Sequence, residues 1–140
     1  MNPLIRKVIF LSYFLFFCFT VTAFAMTVTL QWNANTESDR AGYKIYYNTK
    51  SGPPYEGKGA IEGDSPIDVK IADVEDNGKA KFTVTGLNDD DVYFFAVTAY
   101  NKNDDESGYS NEASTDDSIN AGSQNSSGGG SGCFINTIRF

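Results

Sequence analysis

Tyr93-Phe94-Phe95-Ala96-Val97-Thr98-Ala99-Tyr100 is a run of eight uncharged residues, rich in aromatic and β-branched types, set between two acidic polar stretches. Such a run reads as the central strand of a β-sheet. Alternation puts Tyr93, Phe95, Val97 and Ala99 on one side and Phe94, Ala96, Thr98 and Tyr100 on the other, and the first set is the better core face.

Working outward, the same period-two pattern recurs. Val28-Thr29-Leu30-Gln31-Trp32 offers Val28, Leu30 and Trp32 to one face, and Tyr43-Lys44-Ile45-Tyr46-Tyr47 turns its odd positions inward and leaves Lys44 and Tyr46 to solvent. Pro66 to Ile71 alternates behind a proline, as an edge strand tolerates. Asp76-Asn77-Gly78 suits a hairpin turn, and the strand after it, residues 80–85, directs Phe82 and Val84 inward. Leu87 then plugs the gap between strands. Residues 109–114 form the last candidate strand. Residues 48–64, rich in Gly and Pro, read as a connection, with a short edge strand near Tyr55 or residues 59–61 as an open alternative.

Strand after strand with no amphipathic helical segment argues for an all-β, antiparallel sandwich. Its expected core is Leu30, Trp32, Tyr43, Ile45, Val69, Phe82, Val84, Leu87, Tyr93, Phe95 and Val97.

The flanks have a different character. Arg6 and Lys7 precede an apolar run from Val8 to Phe24, and Ala23-Phe24-Ala25 has the small-residue spacing of a signal-peptidase site. Residues 1–25 are therefore read as an export signal; a retained anchor is the rival reading, since the run approaches the roughly 20 residues that span a bilayer. Residues 26–114 are the folded domain. Residues 115–132, mostly Ser, Gly, Asn and Asp, cannot repay the entropy of folding and read as a linker. Residues 133–140 form a short tail.

Composition narrows the functions. The formal charge is −7, and removal of residues 1–25 leaves nine basic against eighteen acidic residues, a net −9. So acidic a chain has no electrostatic grip on phosphates, which excludes nucleic acid and anionic membrane as partners. Membrane contact is left to an uncleaved signal or a modified tail. The chain contains no histidine, so the usual general base and commonest zinc ligand are missing. Cys133 is the one cysteine beyond the signal and suits covalent attachment or intermolecular pairing; no internal disulfide can form. The carboxylate runs Asp89-Asp90-Asp91 and Asp104-Asp105-Glu106 fall in expected turns, where a solvated charge cluster outweighs a paired acid/base. Residues 101–112 match an EF-hand count at several positions, but Glu106 stands where the calcium loop requires glycine. The expectation is no catalytic, cofactor or metal site.

The residues Val28 to Trp32, DRAGYKIYY at 39–47, FTVTGL at 82–87, YFFAVTAY at 93–100 and ESGYSNE at 106–112 resemble, in order and spacing, a fibronectin type III domain of exported bacterial proteins. The resemblance spans about 85 residues. It implies that Trp32 is the core tryptophan of the family's second strand, that Leu87 and Tyr93 form a tyrosine corner, and that Tyr109 to Glu112 open the last strand.

One departure is plain: cleavage after Ala25 leaves no room for the family's first strand. Either that strand is missing or an uncleaved signal supplies part of it. If it is missing, one sheet has an open edge able to accept a strand from a partner or from the chain's own tail. The run Gly128 to Ile135 resembles the start of a C-terminal sorting or anchoring signal.

These readings converge on a non-enzymatic, extracytoplasmic module, whether secreted, periplasmic or attached at the cell surface. Its partner is expected to be a protein or glycan of the cell envelope. Tyr55 and Tyr109 are the candidate contacts. A carbohydrate-binding module stacking sugars on Tyr46, Tyr55 or Tyr109, and a purely structural secreted appendage, are the alternatives.

Overall fold

The computed structural model describes residues 25–116 and the backbone of residues 135–139. Among them the chain forms strands β1 (Ala25–Asn33), β2 (Arg40–Asn48) and β3 (Ile67–Lys70), a single helical turn α1 (Ile71–Val74), then β4 (Glu75–Asp76), β5 (Lys79–Asn88), β6 (Phe94–Asn101), β7 (Ala113–Ser114) and β8 (Ile135–Arg139). They make two four-stranded sheets, ordered β4-β5-β1-β8 and β3-β2-β6-β7. Every pairing is antiparallel.

Alternation explains most of this. Val28, Leu30 and Trp32 on β1, Tyr43, Ile45 and Tyr47 on β2, Val84 and Leu87 on β5, and Tyr93, Phe95 and Val97 beside and along β6 are all buried. Together they form the layer between the two sheets. Trp32 meets Tyr43 edge to face, centroids 5.2 Å apart, and Tyr47, Tyr93 and Phe95 form a second aromatic group. Phe82, expected in the core, is only half-buried and packs against its margin.

Turn chemistry sets the registers. Asp76 pairs with Lys79, so Asn77 and Gly78 alone make the β4–β5 turn. Both have positive φ, 50° and 77°, as a two-residue hairpin requires. Farther along β5 two residues, Thr85 and Gly86, lie opposite the single Thr27 of β1, and Gly86 takes the φ of +80° that such a bulge demands.

Three expectations change. The segment after β3 carries the helical turn α1, which tucks Val74 into the core. The final strand shrinks from residues 109–114 to Ala113–Ser114. No strand forms at residues 55–61; that segment is instead stitched to the end of β2. Tyr47 donates its hydroxyl to the Gly63 carbonyl and accepts from the Ala60 N–H, while the Gly57 N–H bonds to the Tyr47 carbonyl.

The outer edge of β1 is occupied. Ile135–Arg139 lies along it in antiparallel register, Thr29 opposite Arg139, Leu30 opposite Ile138, Gln31 opposite Thr137 and Trp32 opposite Ile135. The chain's own tail thus sits where the sequence left a vacant edge. Cys133 and residues 1–24, which hold all but the last residue of the expected signal, lie outside the described residues. No helix among the described residues is long and apolar enough to cross a membrane.

Candidate functional site

The β2–β6 pairing sets Gly42 opposite Tyr100, Lys44 opposite Thr98, Tyr46 opposite Ala96 and Asn48 opposite Phe94. These positions form the outer face of the second sheet. A central strand with one solvated face should show polar side chains there, yet Ala96, Thr98 and Tyr100 are as buried as their inward neighbours. The cover comes from the loops on either side.

The 102–112 loop folds back over the face and brings Glu106 onto it. Its Oε1 accepts hydrogen bonds from the Tyr46 hydroxyl (2.6 Å) and the Thr98 hydroxyl (2.7 Å), and its Oε2 pairs with the Lys44 ammonium. Burial, the largest influence on Glu106, raises its pKa; donation by Lys44, Tyr46 and Thr98 outweighs that, and the carboxyl sits below its usual value. Lys44 is raised in turn, chiefly by its hydrogen bond to Glu106. At the upper end of the face, Tyr100 lies over Gly42, donates to Asp68 (2.8 Å) and accepts from Lys70 (2.6 Å).

At the lower end three tyrosines from three separate segments meet. Tyr46 lies 4.9 Å from Tyr109 and 6.4 Å from Tyr55, and Tyr55 lies 5.3 Å from Tyr109, centroid to centroid. Their planes are steeply inclined, 88° between Tyr46 and Tyr109 and 73° between Tyr55 and Tyr109, the edge-to-face arrangement aromatic quadrupoles favour. Glu112 anchors the far side, accepting from the Tyr55 hydroxyl (2.7 Å), the Ser51 hydroxyl (2.6 Å) and the Gly52 N–H (2.6 Å). Burial first, and the carboxylate partners second, raise the pKa of Tyr46 and Tyr55, so both stay neutral donors.

The two candidate contacts therefore differ. Tyr109 is 46 % exposed at the top of the cluster. Tyr55, expected to be exposed, is 6 % exposed and serves as a strut beneath it. That correction follows from Gly57, which lets the loop lie flat on β2, and from Glu112, which draws the Tyr55 hydroxyl inward. Sequence reasoning missed Glu106 and Glu112. They stood among many loop carboxylates, and only the fold brings them over Tyr46 and Tyr55.

The network makes a testable pH dependence. Because folding holds Glu106 below its ordinary value, its contribution is complete above about pH 4.3, the unfolded carboxylate value, and is lost as pH falls through the lower folded value. For Lys44 the contribution is present below its unfolded value of about 10.4 and is lost as pH rises through the raised folded one. The Tm difference between wild type and Glu106→Gln is expected to be flat from pH 6 to 9 and to shrink as pH falls below about 4.3. Since the pair is partly solvated, the plateau corresponds to about 1 kcal/mol or less. A difference undiminished at pH 3 would refute the assignment.

The fold keeps the two acidic runs of the sequence apart. Asp89-Asp90-Asp91 and Asp104-Asp105-Glu106 lie beyond opposite ends of β6, an eight-residue strand, and cannot face one pocket. The side-chain Oδ1 of Asn101, first in the EF-hand count, accepts hydrogen bonds from the N–H groups of Asn103 and Asp105. Among the described residues no cluster of three or more acidic or cysteine side chains is arranged to hold a metal.

At the Phe94 end of β6, on the inner side of the sheet, the Tyr93 hydroxyl accepts a hydrogen bond from the Asn88 N–H (3.2 Å), with Leu87 buried beside it. This is the tyrosine corner that locks β5 to the start of β6. Nothing among curated proteins or solved structures matches the chain. The family model described as the Fibronectin type III domain matches residues 19–116, more than two thirds of the sequence, and so overlaps the last seven residues of the expected signal. Two antiparallel sheets, the buried Trp32 and the tyrosine corner agree with that match, and the chain belongs to the fibronectin type III family, a non-catalytic one generally used for protein–protein contacts.

Proposed function

We propose that this domain is an extracytoplasmic binding module that contacts a protein of the cell envelope through Tyr109 and the sheet face around it. The observation that carries this reading is the buttressing of Tyr109. It is a half-exposed aromatic ring held edge-on by two tyrosines whose hydroxyls are fixed by Glu106 and Glu112. A rigid aromatic anchor with little rotamer entropy left to lose is what interface hot spots are made of.

A glycan partner is less well supported. Sugar stacking uses an open, flat ring face, whereas these three rings are steeply inclined and Tyr55 is covered. In the proposed arrangement residues 1–25 direct export and residues 115–132 hold the domain away from an attachment point at Cys133, as the resemblance of Gly128 to Ile135 to a sorting signal suggests. Intact-mass analysis of fractionated cells tests cleavage after Ala25 and modification at Cys133.

Tyr109→Ala is expected to weaken capture of the envelope partner at least about tenfold, about 1.4 kcal/mol, while Tm moves by no more than a few degrees. Capture that is unchanged in the variant, or a glycan array that lights up with wild type and goes dark with Tyr109→Ala, would overturn the protein-binding reading.

A further inference from the structure

The strand on the open side of β1 comes from far along the chain. Thr115 donates its N–H to the Tyr93 carbonyl, Tyr93 receives the Asn88 N–H, and Asn88 pairs with Ala25, so the end of β7 lies at the Ala25 end of the sandwich. Ile135, where β8 begins, lies opposite Trp32, seven residues along β1 or roughly 23 Å away at the rise of a strand. Residues 117–134 bridge that span. Ten of these eighteen residues are Gly or Ser, and a chain of that composition has a root-mean-square reach of roughly 21–25 Å.

The reach matches the span, so closure within one chain is well provided for, at an effective concentration in the millimolar range. Nothing in the ladder itself requires the strand to come from the same molecule. The β1 edge reads backbone groups and register, and every copy of the chain carries the segment that fits it.

We propose that the β1 edge is a strand-exchange site whose partner is a second copy of this chain. Ile135–Arg139 of one molecule pairs with Thr29–Trp32 of another in the register now seen within one. Exchange of an identical element is a low-cost route to association, since each domain keeps the same ladder. Single chains prevail when dilute. Linked chains prevail when copies are crowded to millimolar local concentration or when the connection is too short to close. This goes beyond the Tyr109 surface, which lies on the other sheet and is untouched by the exchange.

The test is the full chain with residues 117–132 deleted. Two residues then separate Asp116 from Ile135, and three Cα–Cα steps reach at most about 11 Å, well short of the span. Light scattering under reducing conditions, which removes Cys133 pairing as a cause, is expected to show at least a doubling of mass with β-sheet circular dichroism retained. Adding Thr137→Pro together with Ile138→Pro should restore the monomer. Alternate residues of an antiparallel strand donate toward their partner, so one of these two removes a ladder N–H. A folded monomer from the shortened chain overturns the proposal. If the shortened chain does not fold, two differently tagged wild-type chains refolded together at about millimolar concentration decide it. Mixed-tag dimers lost in the double-proline variant support exchange, and their absence overturns it.

Discussion

Trp32→Ala is expected to lower the stability of the domain by about 3–5 kcal/mol, the range for removing a large buried aromatic. Trp32 is fully buried, packs edge-on against Tyr43, and pairs through its backbone with Ala80 on one side and Ile135 on the other. Collapse into the void is limited on one side, where β5 is also held by β4, and on the other face, where the second sheet keeps its own ladders. For a domain of this size each kcal/mol moves Tm by roughly 4–8 °C, so the loss should exceed about 12 °C. Trp32→Phe should cost much less. The indole Nε1 is buried without a hydrogen-bond partner among the described residues, so the smaller ring forfeits no polar contact. Urea unfolding of the three proteins measures both effects; a Trp32→Ala loss below about 1.5 kcal/mol would mean that this side chain does not organise the core.

Gly42→Ala is the second large effect, although it adds one methyl group to a strand whose backbone tolerates alanine. A Cβ at Gly42 would stand 2.4 Å from the Tyr100 hydroxyl oxygen and 2.5 Å from the Val69 carbonyl oxygen. Neither can yield easily. Val69 belongs to the β3 ladder opposite Tyr43, and Tyr100 is tied by hydrogen bonds to Asp68 and Lys70. Overpacking of this kind costs about 1–3 kcal/mol, and the upper half of that range is expected because backbone is involved. Gly108→Ala is the control. It meets nothing within 4 Å and should leave the unfolding midpoint within about 0.5 kcal/mol of wild type. Equal midpoints for the two alanine variants would refute the argument.

Much of the fold could be read from alternation alone. Val28 to Trp32, Tyr43 to Tyr47 and Tyr93 to Tyr100 each place one buried set at every second position, and Asn77-Gly78 announces its own turn. What escaped reading depends on contacts between distant segments. Thr98 and Tyr100 carry polar groups on a face that ought to be wet, and only Glu106, arriving from a loop, and Asp68 and Lys70, on the neighbouring strand β3, explain their burial. Tyr55 looked exposed because its neighbours are Pro, Glu and Gly; its partner Glu112 is 57 positions away. The tail was harder still. Ile135 to Arg139 is too short and too mixed to announce a strand, and its place follows from the vacancy beside β1, a property of the whole sheet.

The register of β8 also sets how the domain responds to tension. Arg139 lies opposite Thr29, so the free ends of β1 and β8 leave the sheet side by side at the same end of the sandwich. Force applied between the start of β1 and the end of β8 therefore loads the last pair of the ladder alone, then the next, in the manner of a zipper and not of a shear joint. The tail strand should peel away at low force while the core sheets stay intact, acting as a mechanical fuse that yields before the domain does.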